Sequence, residues 1–183
     1  MVITQALAHP AWKLPVRILL ATALLVAASK ITVPTVPVPV TLQTLAVVLI
    51  ALIGGRAVGL GAVLGFIGVG VAGAPVFANA GSGIAYLTGP TAGYIAGFVV
   101  SALIVGTLAD RGARSSGWRT ALAVVLGVAA IYLPGVSWLS MQIGTERAVQ
   151  FGLLPFLFPE ALKIALALAV MAAYRMRLRR QSA

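Results

Sequence analysis

The sequence predicts an all-α polytopic membrane protein, a bundle of six transmembrane helices. Of its 183 residues, 61% are hydrophobic and only 9% are charged, and its mean hydropathy is +1.07. No residue between Ala57 and Ala109 is charged, which is enough chain for two helical crossings of about 20 residues each. Water-soluble domains do not have this composition. Residues 1–183 are therefore predicted to form a single transmembrane domain.

The apolar stretches place the helices in order along the chain. The predicted spans are residues 14–31, 41–55, 57–73, 90–109, 118–134 and 155–174, followed by a basic tail over 175–183. The second and third are short and separated only by Gly54, Gly55 and Arg56, which predicts a tight turn between antiparallel helices. Five or seven spans also fit the pattern. Pro134 is expected to bend or end the fifth helix.

The basic residues predict the orientation of the bundle. In the six-span arrangement ten Lys and Arg residues fall on one side of the membrane and three on the other. Cytoplasmic loops are enriched in Lys and Arg, so both termini are predicted to be cytoplasmic. The tail is expected to contact membrane lipid headgroups, and no nucleic-acid partner is expected. The ten are Lys13, Arg17, Arg56, Arg111, Arg114, Arg119, Arg175, Arg177, Arg179 and Arg180.

The counts of reactive residues argue against catalysis. The chain has no cysteine, and its single histidine, His9, precedes the first span, so neither a metal site nor a cofactor is expected. With three acidic residues, no Ser-His-Asp or paired-carboxylate set is visible. The chain also has no phosphate-binding Gly-x-x-x-x-Gly-Lys-Ser/Thr motif. An enzyme is therefore not expected.

Glu160 and Lys163 are the strongest candidates for a binding site. They stand three residues apart in the last apolar stretch, so a helix presents both on one face. Ionisable groups at membrane depth are expensive and tend to mark transport or recognition sites. With helix-starting prolines at 155 and 159, Glu160 is expected in the first turn and Lys163 one turn deeper. A self-contained ion pair that caps the helix is the alternative to a site for a polar solute.

Irregular segments on the less basic side are expected to gather near this pair. The stretch 33–40 contains three prolines and must be extended, either covering a cavity or linking two spans. The glycine-rich stretch 73–90 brings Asn79, which can donate and accept hydrogen bonds, and Tyr86, which can stack on a ring or anchor at the interface. Trp138 and Gln142, after Pro134, are further candidates, although Trp138 also suits the aromatic belt.

Together these segments resemble the BioY family. The resemblance is carried by VPVPVTLQT at 36–44, GSGIAYLTGPTAGY at 81–94, PGVSWL at 134–139 and PFLFPEALK at 155–163. It extends from about Val16 to the last helix. Two positions depart from the family pattern: Glu160 stands where an aspartate is usual, and Ala92 where a glycine is often found.

The resemblance implies a biotin-binding S component of an energy-coupling factor (ECF) transporter in the bacterial cytoplasmic membrane. Its six helices would hold biotin near the outer face, with Glu160 and Lys163 in the ligand site. Residue chemistry suggests that Lys163 pairs with the biotin carboxylate, that Glu160 and Asn79 meet the ureido ring, and that Tyr86 and Trp138 cover the apolar atoms.

The implied partners are a transmembrane coupling protein and paired ATPases. Ala23 and Ala27 form a small-xxx-small pair that can seat a partner helix or pack inside the bundle. Two other functions stay open at this point. One is an S component for another vitamin, and the other is a stand-alone proton-coupled secondary carrier in which Glu160 cycles a proton.

Overall fold

The computed structural model describes residues 12–181, so His9 and residues 182–183 lie outside the described part of the chain. The described part is predominantly helical. Its α-helices are α1 (Lys13–Lys30), α2 (Gln43–Val71), α3 (Ala92–Asp110), α4 (Gly117–Ile143), α5 (Thr145–Gly152) and α6 (Leu154–Gln181). Strands β1 (Thr32–Val33) and β2 (Val40–Thr41) form an antiparallel pair with Thr32 opposite Thr41. Short 3₁₀ segments cover Ala78–Ala80, Ile84–Thr88 and Ala113–Ser115.

Four helical stretches among the described residues are long and apolar enough to cross a membrane. They are α2, α3, α4 and the stretch Thr145–Arg177, which combines α5 with most of α6. The prediction of a helical protein with several membrane-spanning segments is confirmed. The count of six spans is not confirmed, because the second and third predicted spans lie within one helical range and α1 carries three basic residues among its 18.

Gly55 breaks the long range of α2. Its φ of 77° and ψ of −175° are not helical, and glycine reaches a positive φ without penalty. Beyond it, Gly59 lies so close to Ala51 that an added Cβ would stand 3.0 Å from the Ala51 Cα. A straight helix separates residues eight positions apart by about 12 Å. The chain therefore folds back on itself at Gly55, the position of the predicted tight turn.

Helix α4 extends past a proline that was expected to bend or end it. Pro134 does not end α4, which continues to Ile143. The turn after it is held by packing, since Gly135 lies directly against the Tyr94 ring and Leu139 is fully buried. These contacts offset the backbone hydrogen bond that proline cannot make.

The last helix begins one residue before its predicted span and continues past residue 174 into the basic tail. Because α6 starts at Leu154, Pro159 lies inside it, and Glu160 is not in the first turn, which contains no acidic residue. The expectation that Glu160 lies in the first turn is therefore wrong, and the alternative of a helix-capping ion pair does not apply. Burial of Phe156, which is 4% exposed, favours helical packing of the residues before Pro159.

Glycines let α3 approach its neighbours closely. An added Cβ at Gly97 would stand 2.7 Å from the Ile131 backbone of α4, and Gly93 lies against Pro134 and Trp138. Gly106 makes a similar approach to the Arg56 backbone next to the Gly55 turn. Gly93 and Gly97, four residues apart, therefore serve close helix packing. This close packing fixes the helix ends that surround the cleft described next.

Candidate functional site

A cleft lies at the end of the bundle where α1 ends and α2 begins. It encloses about 500 Å³ that protein atoms do not fill, a figure that includes space open to solvent. The lining comes from α2, α3, α4, α6, the β hairpin segment and the Gly73–Pro90 stretch, so residues far apart in sequence meet here.

One side of the cleft holds a buried ion pair. Lys163 Nζ lies 2.6 Å from Glu160 Oε1, and the two residues are 8% and 5% exposed. Thr44, from the start of α2, donates its hydroxyl to Glu160 Oε1 at 2.8 Å and accepts from Lys163 Nζ at 3.1 Å. Removing two charges from water is unfavourable unless their hydrogen-bonding capacity is satisfied. Thr44, Glu160 and Lys163 satisfy most of that hydrogen-bonding capacity by bonding to one another.

The second carboxylate oxygen of Glu160 is left without a partner. Oε2 is buried and makes no hydrogen bond of ordinary geometry with the described residues, although the Tyr132 hydroxyl lies close enough to the Glu160 carboxylate to interact with it. A buried polar atom in this condition costs free energy, so it is rare unless a ligand or water completes it. Glu160 lines the cleft, so a donor group that enters can approach its carboxylate.

Aromatic side chains form the apolar walls. The rings of Phe77 and Tyr86 are stacked with their centroids 4.7 Å apart. Facing them, Tyr132 stands edge-on to Tyr94 at 5.8 Å and to Phe156 at 5.9 Å. Such walls bury the apolar part of a ring-containing ligand, while a few polar groups fix its orientation.

The proline-rich connector lies over this cleft. Val38 and Pro39 are lining residues, and Val38 is 4% exposed. The strands on either side, β1 and β2, pair with each other and hold the connector in place. Of the two interpretations of this stretch, a cavity cover is the one that the geometry supports.

Comparison with known proteins decides the family. The sequence matches the profile of the BioY family over residues 5–180. The chain belongs to the BioY family. It is 37% identical over 147 residues to "Biotin transporter BioY" of Thermotoga maritima, an alignment that covers 80% of this chain and 86% of the relative. It is also 37% identical over 134 residues to "Probable biotin transporter BioY" of Pyrococcus horikoshii, covering 73% and 78% of the two chains.

A solved structure shares the fold of this BioY chain. It is the S-component for biotin from an ECF-type ABC transporter, whose crystal structure superposes with a TM-score of 0.79. The superposition covers 91% of this chain and 92% of that one at 22% identity. The BioY chain therefore has the ECF S-component fold.

Three of the six predicted ligand-site residues line the cleft of this BioY chain: Glu160, Lys163 and Tyr86. Asn79 is exposed and does not line it. Asn79 instead contributes to an adjoining pocket that shares Pro39 and Tyr86 with the cleft.

Trp138 and Gln142 do not line the cleft either, and each binds the loop behind Tyr86. Trp138 Nε1 donates to the Gly89 carbonyl at 3.0 Å, and Gln142 Nε2 donates to the Thr88 carbonyl at 3.2 Å. This follows from the continuation of α4 past Pro134, which carries both side chains along a helix instead of into a loop. Their observed contacts brace the loop that presents Tyr86.

The lining residues of the BioY cleft that escaped the sequence analysis include Thr44, Tyr132 and Phe156. Each carried a weak signal. Thr44 belongs to the Gln-Thr pair at the start of an otherwise apolar stretch, and Tyr132 and Phe156 are aromatic residues close to prolines. None of these signals shows that the three side chains converge, because that depends on how α2, α4 and α6 pack.

Ala23 and Ala27 are exposed on α1. The same helix exposes Leu19, Leu20 and Leu24 at 68%, 65% and 56%. The interpretation that the alanine pair packs inside the bundle is therefore wrong. In the BioY chain this side of α1 is open to lipid or to a partner.

Proposed function

We propose that this chain is the biotin-binding S component of an ECF transporter and that it delivers biotin across the membrane with a separate ATPase module. Membership of the BioY family and the two biotin transporter relatives support this proposal. The observation that carries it is the buried Glu160–Lys163 pair, which presents an unpartnered oxygen to an aromatic cleft.

The geometry of the pair favours the ureido ring of biotin as its ligand group. A ureido group holds N–H donors next to a carbonyl acceptor, which complements Glu160 Oε2 and an N–H of Lys163. Because Lys163 Nζ and Glu160 Oε1 are only 2.6 Å apart, one small group can meet both residues. The biotin carboxylate lies at the far end of the valeryl chain. We therefore assign Lys163 to the ureido carbonyl instead of the carboxylate.

The remaining parts of biotin have matching surfaces. The stacked pair Phe77 and Tyr86 offers apolar area for the bicyclic ring. The valeryl chain then points toward the adjoining pocket, where Asn79 can hydrogen-bond the carboxylate. In this arrangement Trp138 and Gln142 support the site through the loop that they bind.

We place the protein in the bacterial cytoplasmic membrane with both termini cytoplasmic, on the basis of the ten-to-three distribution of basic residues. The proposed partners are the transmembrane coupling protein and the paired ATPases of an ECF module. The exposed Ala23 and Ala27 support a partner contact on α1, since small residues let two helices approach closely. Membrane lipids surround the rest of the bundle.

The test is to identify the ligand that the protein retains. The full chain is purified from cells grown with biotin, denatured, and the released small molecules are measured by mass spectrometry. Biotin in near-stoichiometric amount is expected. Another vitamin in its place would contradict the ligand assignment.

A second measurement separates an S component from a self-sufficient carrier. Proteoliposomes that contain this chain without ATPases are expected to show no biotin accumulation when a proton gradient is imposed. Accumulation that collapses when the gradient is dissipated would instead support the proton-coupled carrier.

A further inference from the structure

Thr44 joins two elements at the charged side of the cleft. It stands on α2, 116 and 119 positions before Glu160 and Lys163 on α6. Its hydroxyl donates to Glu160 Oε1 and accepts from Lys163 Nζ, and the residue is 8% exposed. Hydrogen bonds to charged groups are roughly twice as strong as neutral ones. A single hydroxyl thus contacts both members of the ion pair.

The hydrogen bonds among Thr44, Glu160 and Lys163 leave part of the hydrogen-bonding capacity of the ion pair unused. Oε1 of Glu160 receives both the Thr44 hydroxyl and Lys163 Nζ, whereas Oε2 makes no hydrogen bond of ordinary geometry with the described residues and has only the Tyr132 hydroxyl near its carboxylate. An ammonium group has three N–H donors, and two of those on Lys163 are used by Glu160 and Thr44. One acceptor on Glu160 and one donor on Lys163 are left over. This is the complement of a ureido N–H beside its carbonyl.

We propose that Thr44 is a positioning residue of the ligand site, which orients Glu160 and Lys163 so that Oε2 and one N–H face the ligand. This inference rests on the proposed biotin-binding function. Without the hydroxyl, Oε1 and Oε2 of Glu160 compete for Lys163, and the carboxylate rotates to satisfy the ammonium with both oxygens. The acceptor aimed at the ligand is then lost, although the charges and the packing are retained.

The length of the Glu160 side chain matters in this arrangement. Its two methylene groups carry Oε1 from α6 to the Thr44 hydroxyl on α2. Aspartate has one methylene fewer and cannot make this bond unless α6 moves. The influence of Thr44 on the ligand should therefore depend on glutamate at position 160, a dependence that a double-mutant cycle measures.

The experiment compares Thr44→Val, which keeps the side-chain shape, with Thr44→Ser, which keeps the hydroxyl. Affinity is measured by equilibrium binding of radiolabelled biotin to the purified full chain, together with its thermal midpoint. Loss of one hydrogen bond to a charged group predicts that Thr44→Val weakens binding roughly ten- to hundredfold. We expect Thr44→Ser to stay within about threefold of the wild type, because its hydroxyl restores the bond.

Thr22→Val is the matched control. Thr22 is also 8% exposed, but its hydroxyl donates to the Ala62 carbonyl at 3.3 Å and it does not line the cleft. It should lower the thermal midpoint at most and leave biotin affinity within about threefold. Equal weakening by Thr44→Val and Thr44→Ser, or by Thr44→Val and Thr22→Val, would overturn the positioning role.

Two further measurements test whether Thr44 acts through Glu160 and on the ureido ring of biotin. Adding Thr44→Val to Glu160→Asp should cost little beyond Glu160→Asp alone, and fully additive losses would contradict the inference. Biotin methyl ester keeps the ureido ring but lacks the carboxylate, so Thr44→Val should weaken binding of the ester by the same factor as binding of biotin.

If the wild type binds no biotin, the proposed function fails and this inference fails with it. If the wild type binds and Thr44→Val binds equally well, only the inference fails.

Discussion

The ring of Phe77 is held in the cleft wall by three neighbours. Phe66 contacts it edge-on with a centroid distance of 5.3 Å, and Tyr86 stacks on its face at 4.7 Å. The third neighbour is Gly70 of α2, where an added Cβ would overlap the ring. Phe77 itself is fully buried. The space for this side chain therefore depends on the absence of a side chain at position 70.

This contact predicts that Gly70→Ala weakens biotin binding. The new methyl group displaces Phe77, and overpacking of this kind costs about 1–3 kcal/mol, or roughly ten- to hundredfold if it is expressed in binding. Gly68→Ala is the control on the same helix, because its Cβ meets nothing within 4 Å. Biotin titrations and thermal midpoints of both variants provide the comparison. Equal affinities for Gly70→Ala and Gly68→Ala would show that the Phe77 ring does not shape the site.

Residue spacing predicts only those site contacts that a single element makes. The interval between Glu160 and Lys163 places both on one face of α6, and the structure pairs them at 2.6 Å. Thr44 joins the pair from a position 116 residues earlier, which no local pattern indicates. Trp138 was misjudged for a related reason, since its role depends on whether α4 continues past Pro134.

At the scale of elements, the end of α1 holds the loop that carries Phe77. Ser29 Oγ lies 2.6 Å from the Val76 carbonyl and 2.7 Å from the Val26 carbonyl of its own helix, so its single proton is shared between two acceptors. Lys30 Nζ donates to the Phe77 carbonyl at 3.1 Å and to the Pro75 carbonyl. The same helix exposes Ala23 and Ala27. Helix α1 thus connects the proposed partner surface with one wall of the cleft.

These bonds predict that Ser29→Ala and Lys30→Met speed the release of biotin. Each loss frees the loop backbone at Val76 and Phe77, and about 1 kcal/mol per hydrogen bond corresponds to a dissociation rate roughly fivefold higher. The measurement is the loss of labelled biotin from purified protein after addition of excess unlabelled biotin. Lys13→Met, at the opposite end of α1, is the control and should leave the rate unchanged. Wild-type dissociation rates in both loop variants would rule out this role of α1.

Helix boundaries show where local rules fail at this scale. The start and end of α1 and α3 lie within two residues of the predicted spans, because hydropathy changes sharply at both ends. In α4, Pro134 suggested a boundary that tertiary packing overrides through the buried Leu139, whereas α6 starts within one residue of its predicted span. A proline in the sequence indicates that continuing the helix costs free energy. It does not show whether burial of neighbouring side chains offsets that cost.

At the scale of the whole molecule, the binding site is assembled by segments that hydropathy identifies as interruptions. The proline-rich connector, the glycine-rich stretch and the start of α6 meet at one end of the bundle because the helices between them alternate in direction. The sequence indicated this meeting, since all of these segments fall on the less basic side. The number of crossings was harder to predict, because the turn at Gly55 joins two short helical arms in one range.

The role of the ion pair is tested most directly by biotin titration of Glu160→Gln and Lys163→Met. Each variant removes one polar partner of the ligand and leaves the opposite charge buried without compensation. The double variant removes both charges and serves to separate loss of binding from loss of folding, with thermal midpoints as the check. Glu146→Gln, at an exposed acid on α5, is the matched control.

The expected result is that both single variants and the double variant bind biotin at least about a hundredfold more weakly than the wild type, while Glu146→Gln stays within about threefold. The double variant should retain a wild-type-like thermal midpoint, because a buried ion pair adds little net stability. Wild-type biotin affinity in both Glu160→Gln and Lys163→Met would contradict the account.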